Sequence, residues 1–216
     1  MLVLSNKGEM QMNQNNFIGI ALDELYRVFD ILNKEYFSGK LLYPMITIQK
    51  TKRSGNLGWF TLDKVWKDKK SEDKRYEINI CAEYLSRDLY ELMDTLQHEM
   101  VHYANKISEI KDCNGQVHNK KFKTLAESVG LLVEKSKKYG YGHTTCSDKF
   151  KEFIDNIITP NIECFNYFRN VPLKETVSKE KTQFTYICPK CDEKVKAKID
   201  KNIICGECQC NFEIKE

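Results

Sequence analysis

His98-Glu99-Met100-Val101-His102 sets two imidazoles four positions apart with a carboxylate beside them. In a helix, residues i and i+4 lie one turn apart on one face. His98 and His102 can then grip one Zn²⁺, and Glu99 can reach a water on that metal. A catalytic zinc needs a third protein ligand and keeps a fourth position for water. The spacing HExxHxxGxxH would use position 108, but Asn105 and Ser108 rule out a histidine on that stretch. Two candidates remain. Glu127 sits on the following helix. His118 sits after the loop Asp112-Cys113-Asn114-Gly115, at the entry to that helix. His118 is favoured, because Phe122, Leu125 and Ala126 can anchor the helix behind it and Gly115 permits the turn. Tyr103, Tyr139, Tyr141 and His143 are candidates for stabilising an oxyanion. Cys113, five residues before His118, would close the fourth position if the site were purely structural.

A second group lies near the C-terminus. Cys188-Pro-Lys-Cys191 and Cys205-Gly-Glu-Cys208 are two CxxC knuckles separated by 13 residues. Each bends tightly enough for two thiolates to meet one metal, and four thiolates complete a tetrahedral structural zinc. Cys210 rivals Cys208, but Gly206 in the C-x-x-C spacing favours Cys208. A redox role would call for a βαβ setting, which is absent.

The elements that must position these groups follow from hydrophobic period. Apolar residues recur at helical spacing from Asn16 to Phe37, ending at Ser38-Gly39. Strands are expected at Met45–Lys50, Leu57–Leu62 and Tyr76–Cys81, the last with Tyr76, Ile78 and Ile80 alternating against polar neighbours. Lys67 to Arg75 reads as a solvated charged loop. The HExxH helix is expected over 86–105, with Leu89, Leu92, Leu96, Met100 and Tyr103 as one buried stripe and both histidines on the opposite side. A further helix is expected over 119–129, stopped by Gly130. Tyr139-Gly-Tyr-Gly-His143 reads as a turn or loop, and Asp148–Ile158 as a helix ended by Pro160. Short strands between cysteines fill 182–216. The fold class is α+β.

Composition limits the rest. The chain has 216 residues, 41% hydrophobic and 30% charged, which suits one globular domain plus a small module. With 34 Lys+Arg against 31 Asp+Glu, the net charge of +3 is too small to imply a nucleic-acid partner. Nine cysteines, five of them within the last 29 positions, read as metal ligands in a reducing cytoplasm rather than a disulfide framework. No apolar run reaches the roughly 18 residues of a membrane span, and the N-terminus has no signal-peptide core.

The stretch HEMVHYANKI followed by NGQVHNKKFKTLAESVGL resembles the SprT-like family of zinc metallopeptidases, which includes the Spartan proteases. Gly58-Trp59-Phe60, Trp66, Tyr76–Ile80 and Tyr139-Gly140-Tyr141 with Thr144-Thr145 support the likeness. The resemblance implies a zincin-like domain, a short mixed or antiparallel sheet packed with the HExxH helix, plus a small β zinc ribbon. It implies a catalytic zinc on His98, His102 and His118 with Glu99 as general base, and a structural zinc on Cys188, Cys191, Cys205 and Cys208. The expected organisation is a flexible tail 1–15, a metallopeptidase domain 16–172, a linker 173–181 and the ribbon 182–216. Substrates would be proteins bound to or crosslinked with DNA, with single-stranded DNA as a partner. Trp59 and Trp66, near Lys64, Lys67, Lys69 and Lys70, and Phe184 and Tyr186 of the ribbon, are candidates to stack on bases. Packing of these rings is the competing reading.

Overall fold

A computed structural model describes residues 16–51, 55–170 and 183–214. The chain divides into two compact units, Met1–Val171 and Pro172–Glu216. The expected tail 1–15 and linker 173–181 lie outside the described residues.

Helix α1, Phe17–Phe37, is capped by the Asn16 side chain, which accepts from the Gly19 N–H at 3.1 Å. It ends where Ser38 turns left-handed. Leu25, Val28, Phe29 and Leu32 bury its inward face. The first sheet contains β1 (Met45–Gln49), β2 (Gly58–Phe60) and β5 (Glu77–Cys81), in the order β1-β5-β2. The central strand β5 runs parallel to β1 and antiparallel to β2.

The expected alternation of buried and polar positions fails on β5, where all five residues are buried. Its polar side chains are taken up by neighbours. The indole N–H groups of Trp59 and Trp66 donate to the two carboxylate oxygens of Glu77, at 3.0 and 2.6 Å. The Thr47 hydroxyl donates to Asn79 at 2.9 Å. The charged stretch expected as a loop instead carries a hairpin, β3 (Trp66–Lys67) with β4 (Lys74–Arg75). Asp68 nucleates its turn by accepting from the Lys70 and Ser71 backbone N–H groups.

Helix α2, Leu89–Ile107, starts at Asp88, whose carboxylate accepts from the Tyr90 N–H at 2.8 Å. Leu92, Leu96, Met100 and Tyr103 of the expected stripe are buried, and Leu89 at its start is half-buried against the core. Met93, Gln97 and Val101 are buried too, so the far side of the helix is covered rather than open to solvent. The cover is a second sheet of β6 (Cys113–Asn114), β7 (Val117–His118), β8 (Leu131–Ser136) and β9 (Gly140–Cys146), in the order β6-β7-β9-β8. Most of the segment expected as a turn, Tyr139–His143, is thus strand. It pairs with β8 through a bulge between Glu134 and Ser136. Helix α3, Lys120–Ser128, lies between β7 and β8, and Phe122 and Ala126 fix it to the core. Helix α4, Asp148–Phe153, continues as a π-helical turn to Ile158 and stops at left-handed Thr159 before Pro160. No described helix is long and apolar enough to cross a membrane.

The second unit is an antiparallel sheet of β10 (Phe184–Ile187), β11 (Lys194–Ala197) and β12 (Glu213–Ile214), with β10 central. Among its described residues, Tyr186, Cys188 and Cys205 are buried. So small an interior calls for a metal or crosslink to hold it. Mixed α and β elements in small sheets, with a C-terminal cysteine cluster, agree with the α+β expectation.

Candidate metal centre

His98 and His102 project from one face of α2. His118 ends β7, where its N–H donates to the Tyr139 carbonyl at 3.0 Å. The next residue, Asn119, caps α3 through its side chain, which accepts from Lys121 N–H at 2.7 Å. Its amide also donates to the Lys111 carbonyl at 2.9 Å. The third histidine is thereby pinned between a strand pair and a helix cap.

The three rings meet through one nitrogen each. His118 Nε2 lies 3.2 Å from His98 Nε2 and 3.0 Å from His102 Nε2. Tetrahedral zinc with Zn–N bonds of about 2.0–2.1 Å needs its nitrogens about 3.3 Å apart. Burial and the neighbouring imidazoles drive the His98 ring well below its ordinary pKa. Burial, then the His102 charge, lowers His118 to about 4. Both are thus neutral near pH 7, as metal ligation requires. The ring of Phe122 floors the group, with centroids 4.7, 4.8 and 4.5 Å from those of His98, His102 and His118. The donor set fits a divalent metal.

The remaining ring nitrogens are held differently. His102 Nδ1 lies 2.8 Å from Asp112 Oδ2. His98 Nδ1 lies 3.1 Å from the Thr144 hydroxyl. His118 Nδ1 is buried with no hydrogen-bond partner among the described residues. Two glycines of β9 explain how His118 comes so close. A Cβ on Gly142 would meet His118 Nδ1 at 2.4 Å, and one on Gly140, already at φ +60°, would meet the His118 carbonyl oxygen at 2.3 Å.

Glu99 lies beneath β2. The Phe60 N–H donates to its carboxylate, and a Cβ on Gly58 would sit 3.4 Å from its Oε1. Burial pushes this carboxyl up to about 7, against the opposing pull of His102. Other sequence candidates fall away from the centre. Glu127 is exposed and pairs with Lys123 at 3.5 Å. Cys113 groups with His102 and Asp112, not with the three imidazoles. Tyr103 donates to the Leu42 carbonyl at 2.9 Å. Side chains alternate along a strand, so Tyr141 and His143 point away from the face on which Gly142 and Thr144 meet the histidines. Tyr139 is exposed beside Lys138.

In the second unit, one sulfur from each of Cys188, Cys191, Cys205 and Cys208 lies within 4.8 Å of the others. The two knuckles repeat one hydrogen-bond pattern. Cys188 N–H donates to Glu193 O and Asp192 N–H to Cys188 O; Cys205 N–H donates to Cys210 O and Gln209 N–H to Cys205 O. Cys210 therefore matches Glu193, the residue that closes a knuckle, and Cys208 matches Cys191. The Cys210 sulfur still lies 3.6 Å from that of Cys188. Burial raises the Cys188 thiol, but backbone N–H groups of Lys190 and Cys191 outweigh it and bring it down to about 6.

The base-stacking candidates fare unequally. Tyr186 is 3% exposed, and its hydroxyl donates to the Lys198 carbonyl and accepts from the Lys201 N–H. It is an interior residue, which corrects the expectation of a stacking ring. Trp59 is half-buried on Glu77, Trp66 is 41% exposed, and Phe184 is half-buried.

Residues 25–145 match the model of the SprT-like family. The chain belongs to the SprT-like family. The match takes in all three histidines and Glu99 and stops before the cysteine knuckles. No curated protein and no solved structure matches the chain.

Sequence reasoning missed Asp94, Asp112, Thr144, Gly140 and Gly142. Two signals were available. Asp94, His98 and His102 repeat at four-residue steps on one helix face. Glycines at alternate positions of Tyr139-Gly-Tyr-Gly put two bare backbones on one side of a strand, which marks a close approach.

Proposed function

We propose that this SprT-like chain is a zinc-dependent metalloendopeptidase with a zincin-like site. The observation that carries the reading is the convergence of three Nε2 atoms, 3.0 and 3.2 Å apart along the His118 contacts, beside the buried carboxylate of Glu99. His98, His102 and His118 would hold the metal, and Cys188, Cys191, Cys205 and Cys208 a structural one. Bound zinc would supply a Lewis acid that polarises a carbonyl and acidifies water toward neutral pH. Glu99 would take a proton from the attacking water and pass it to the leaving amine. A carboxyl titrating near 7 suits both halves of that exchange. Phe60 N–H orients the Glu99 carboxylate. Phe122 shields the rings from solvent.

The family resemblance supports proteins bound to or crosslinked with DNA as substrates, with single-stranded DNA as partner. Trp66 and Phe184 are the accessible stacking candidates. The test measures metal per chain together with cleavage of an unfolded protein, with and without single-stranded DNA. Metal at both sites and cleavage stimulated by DNA support the reading. Metal bound with no cleavage under either condition would favour a zinc-containing nucleic-acid adaptor instead.

A further inference from the structure

Behind His98 runs a hydrogen-bonded line that the metal ligands do not include. Asp94 lies one turn before His98 on α2 and so shares its face. Thr144 enters from β9. Its hydroxyl lies 3.1 Å from His98 Nδ1 and 3.2 Å from Asp94 Oδ2. A carboxylate can only accept. The hydroxyl therefore donates to Asp94 and is left to accept the proton on His98 Nδ1. That assignment leaves a lone pair on His98 Nε2, the atom facing His118 Nε2. Thr144 and Asp94 are both buried, and Asp94 Oδ1 has no hydrogen-bond partner among the described residues. A buried carboxylate short of partners costs stability. The Arg87 charge offsets part of that cost.

We propose that Thr144 and Asp94 are positioning residues that fix the Nδ1–H tautomer and ring orientation of His98 for metal binding. The proposal rests on the three-histidine metal centre proposed above. It separates the supports of the three ligands: a carboxylate directly on His102, backbone packing of Gly142 on His118, and a carboxylate acting through a hydroxyl on His98. Outer partners of ligating histidines govern affinity by holding ring and tautomer. In this line the bridging group must be a hydroxyl. Valine matches threonine in shape and breaks the line; serine keeps it.

The test uses the full chain and its Thr144→Val and Thr144→Ser variants. Cobalt(II) is the probe, since thiolate-bound cobalt absorbs apart from histidine-bound cobalt. Chelator competition at the histidine centre should show Thr144→Val binding about 10–100-fold more weakly, with Thr144→Ser restoring the original affinity. Long-range ¹H–¹⁵N correlation on the metal-free chain should show His98 protonated at Nδ1, and Thr144→Val should disturb that signal. Unchanged affinity in Thr144→Val, or an Nε2–H tautomer of His98 in the metal-free parent chain, overturns the proposal. The tautomer readout decides the matter even if Thr144→Val does not fold. A parent chain that binds no cobalt at the histidines while keeping the Nδ1–H tautomer would sink the metal-centre reading and leave the hydrogen-bonded line standing.

Discussion

Nδ1 of His102 lies 2.8 Å from Asp112 Oδ2, and the same oxygen accepts from the Asn105 amide at 3.1 Å. One carboxylate thus orients the His102 ring of α2 and ties down the loop that leads to His118. Burial works to raise the Asp112 carboxyl, but the His102 contact and charge outweigh it and the net shift is downward. Asp112→Ala takes this acceptor from His102 Nδ1 and from the buried Asn105 amide. Chelator competition should show metal held about 10–100-fold less tightly at the histidines.

Glu99→Gln keeps the size of the side chain and removes the base. Metal content should be unchanged while peptide cleavage falls by at least about 10²-fold. Full activity in this variant would refute the assigned role.

Gly142→Ala drives a methyl group into His118. The variant should lose metal from the histidine centre and destabilise the fold by about 1–3 kcal/mol, the usual cost of overpacking. Metal analysis and thermal melting read the two effects separately. Metal retained at full occupancy would mean that β9 can retreat from His118.

The repeated knuckle pattern makes a distinction between adjacent cysteines. Cys208→Ser should lose the metal of the second unit, and Cys210→Ser should keep it, as judged by the thiolate absorption of bound cobalt. The reverse result would assign the fourth ligand to Cys210.

Glu77→Ala removes the acceptor shared by Trp59 and Trp66 and leaves two indole N–H groups without it. A loss of about 1–3 kcal/mol is expected in denaturant unfolding. Trp fluorescence should report the same change locally, since both indoles of the chain contact this carboxylate.

Local pattern made much of this molecule legible. The spacing of His98 and His102, the buried stripe of α2 and the placing of His118 at a helix entry were all readable, because each depends on neighbours within a few turns. The supports were harder to read. Thr144 meets His98 across 46 residues of chain, and Asp112 reaches back ten to His102, so neither pairing leaves a local periodic trace. Positions 139–143, most of which are strand in β9, read as a turn or loop in the sequence, and their glycines lower strand propensity. Their reason for being there is His118, which only the folded sheet brings alongside. β5 misled in the opposite sense. Glu77 and Asn79 look like solvent positions, yet distant partners, Trp59, Trp66 and Thr47, supply their hydrogen bonds.

Phe122 touches all three imidazoles from a helix that neither α2 nor β7 contains. It is also fully buried in the main core. A stretch of chain that ends with α2 carries two of the three nitrogens; the third, and the ring beneath all three, come from β7 and α3 beyond it. One aromatic side chain therefore serves the core and the histidine cluster together, and a change at Phe122 would be felt in both.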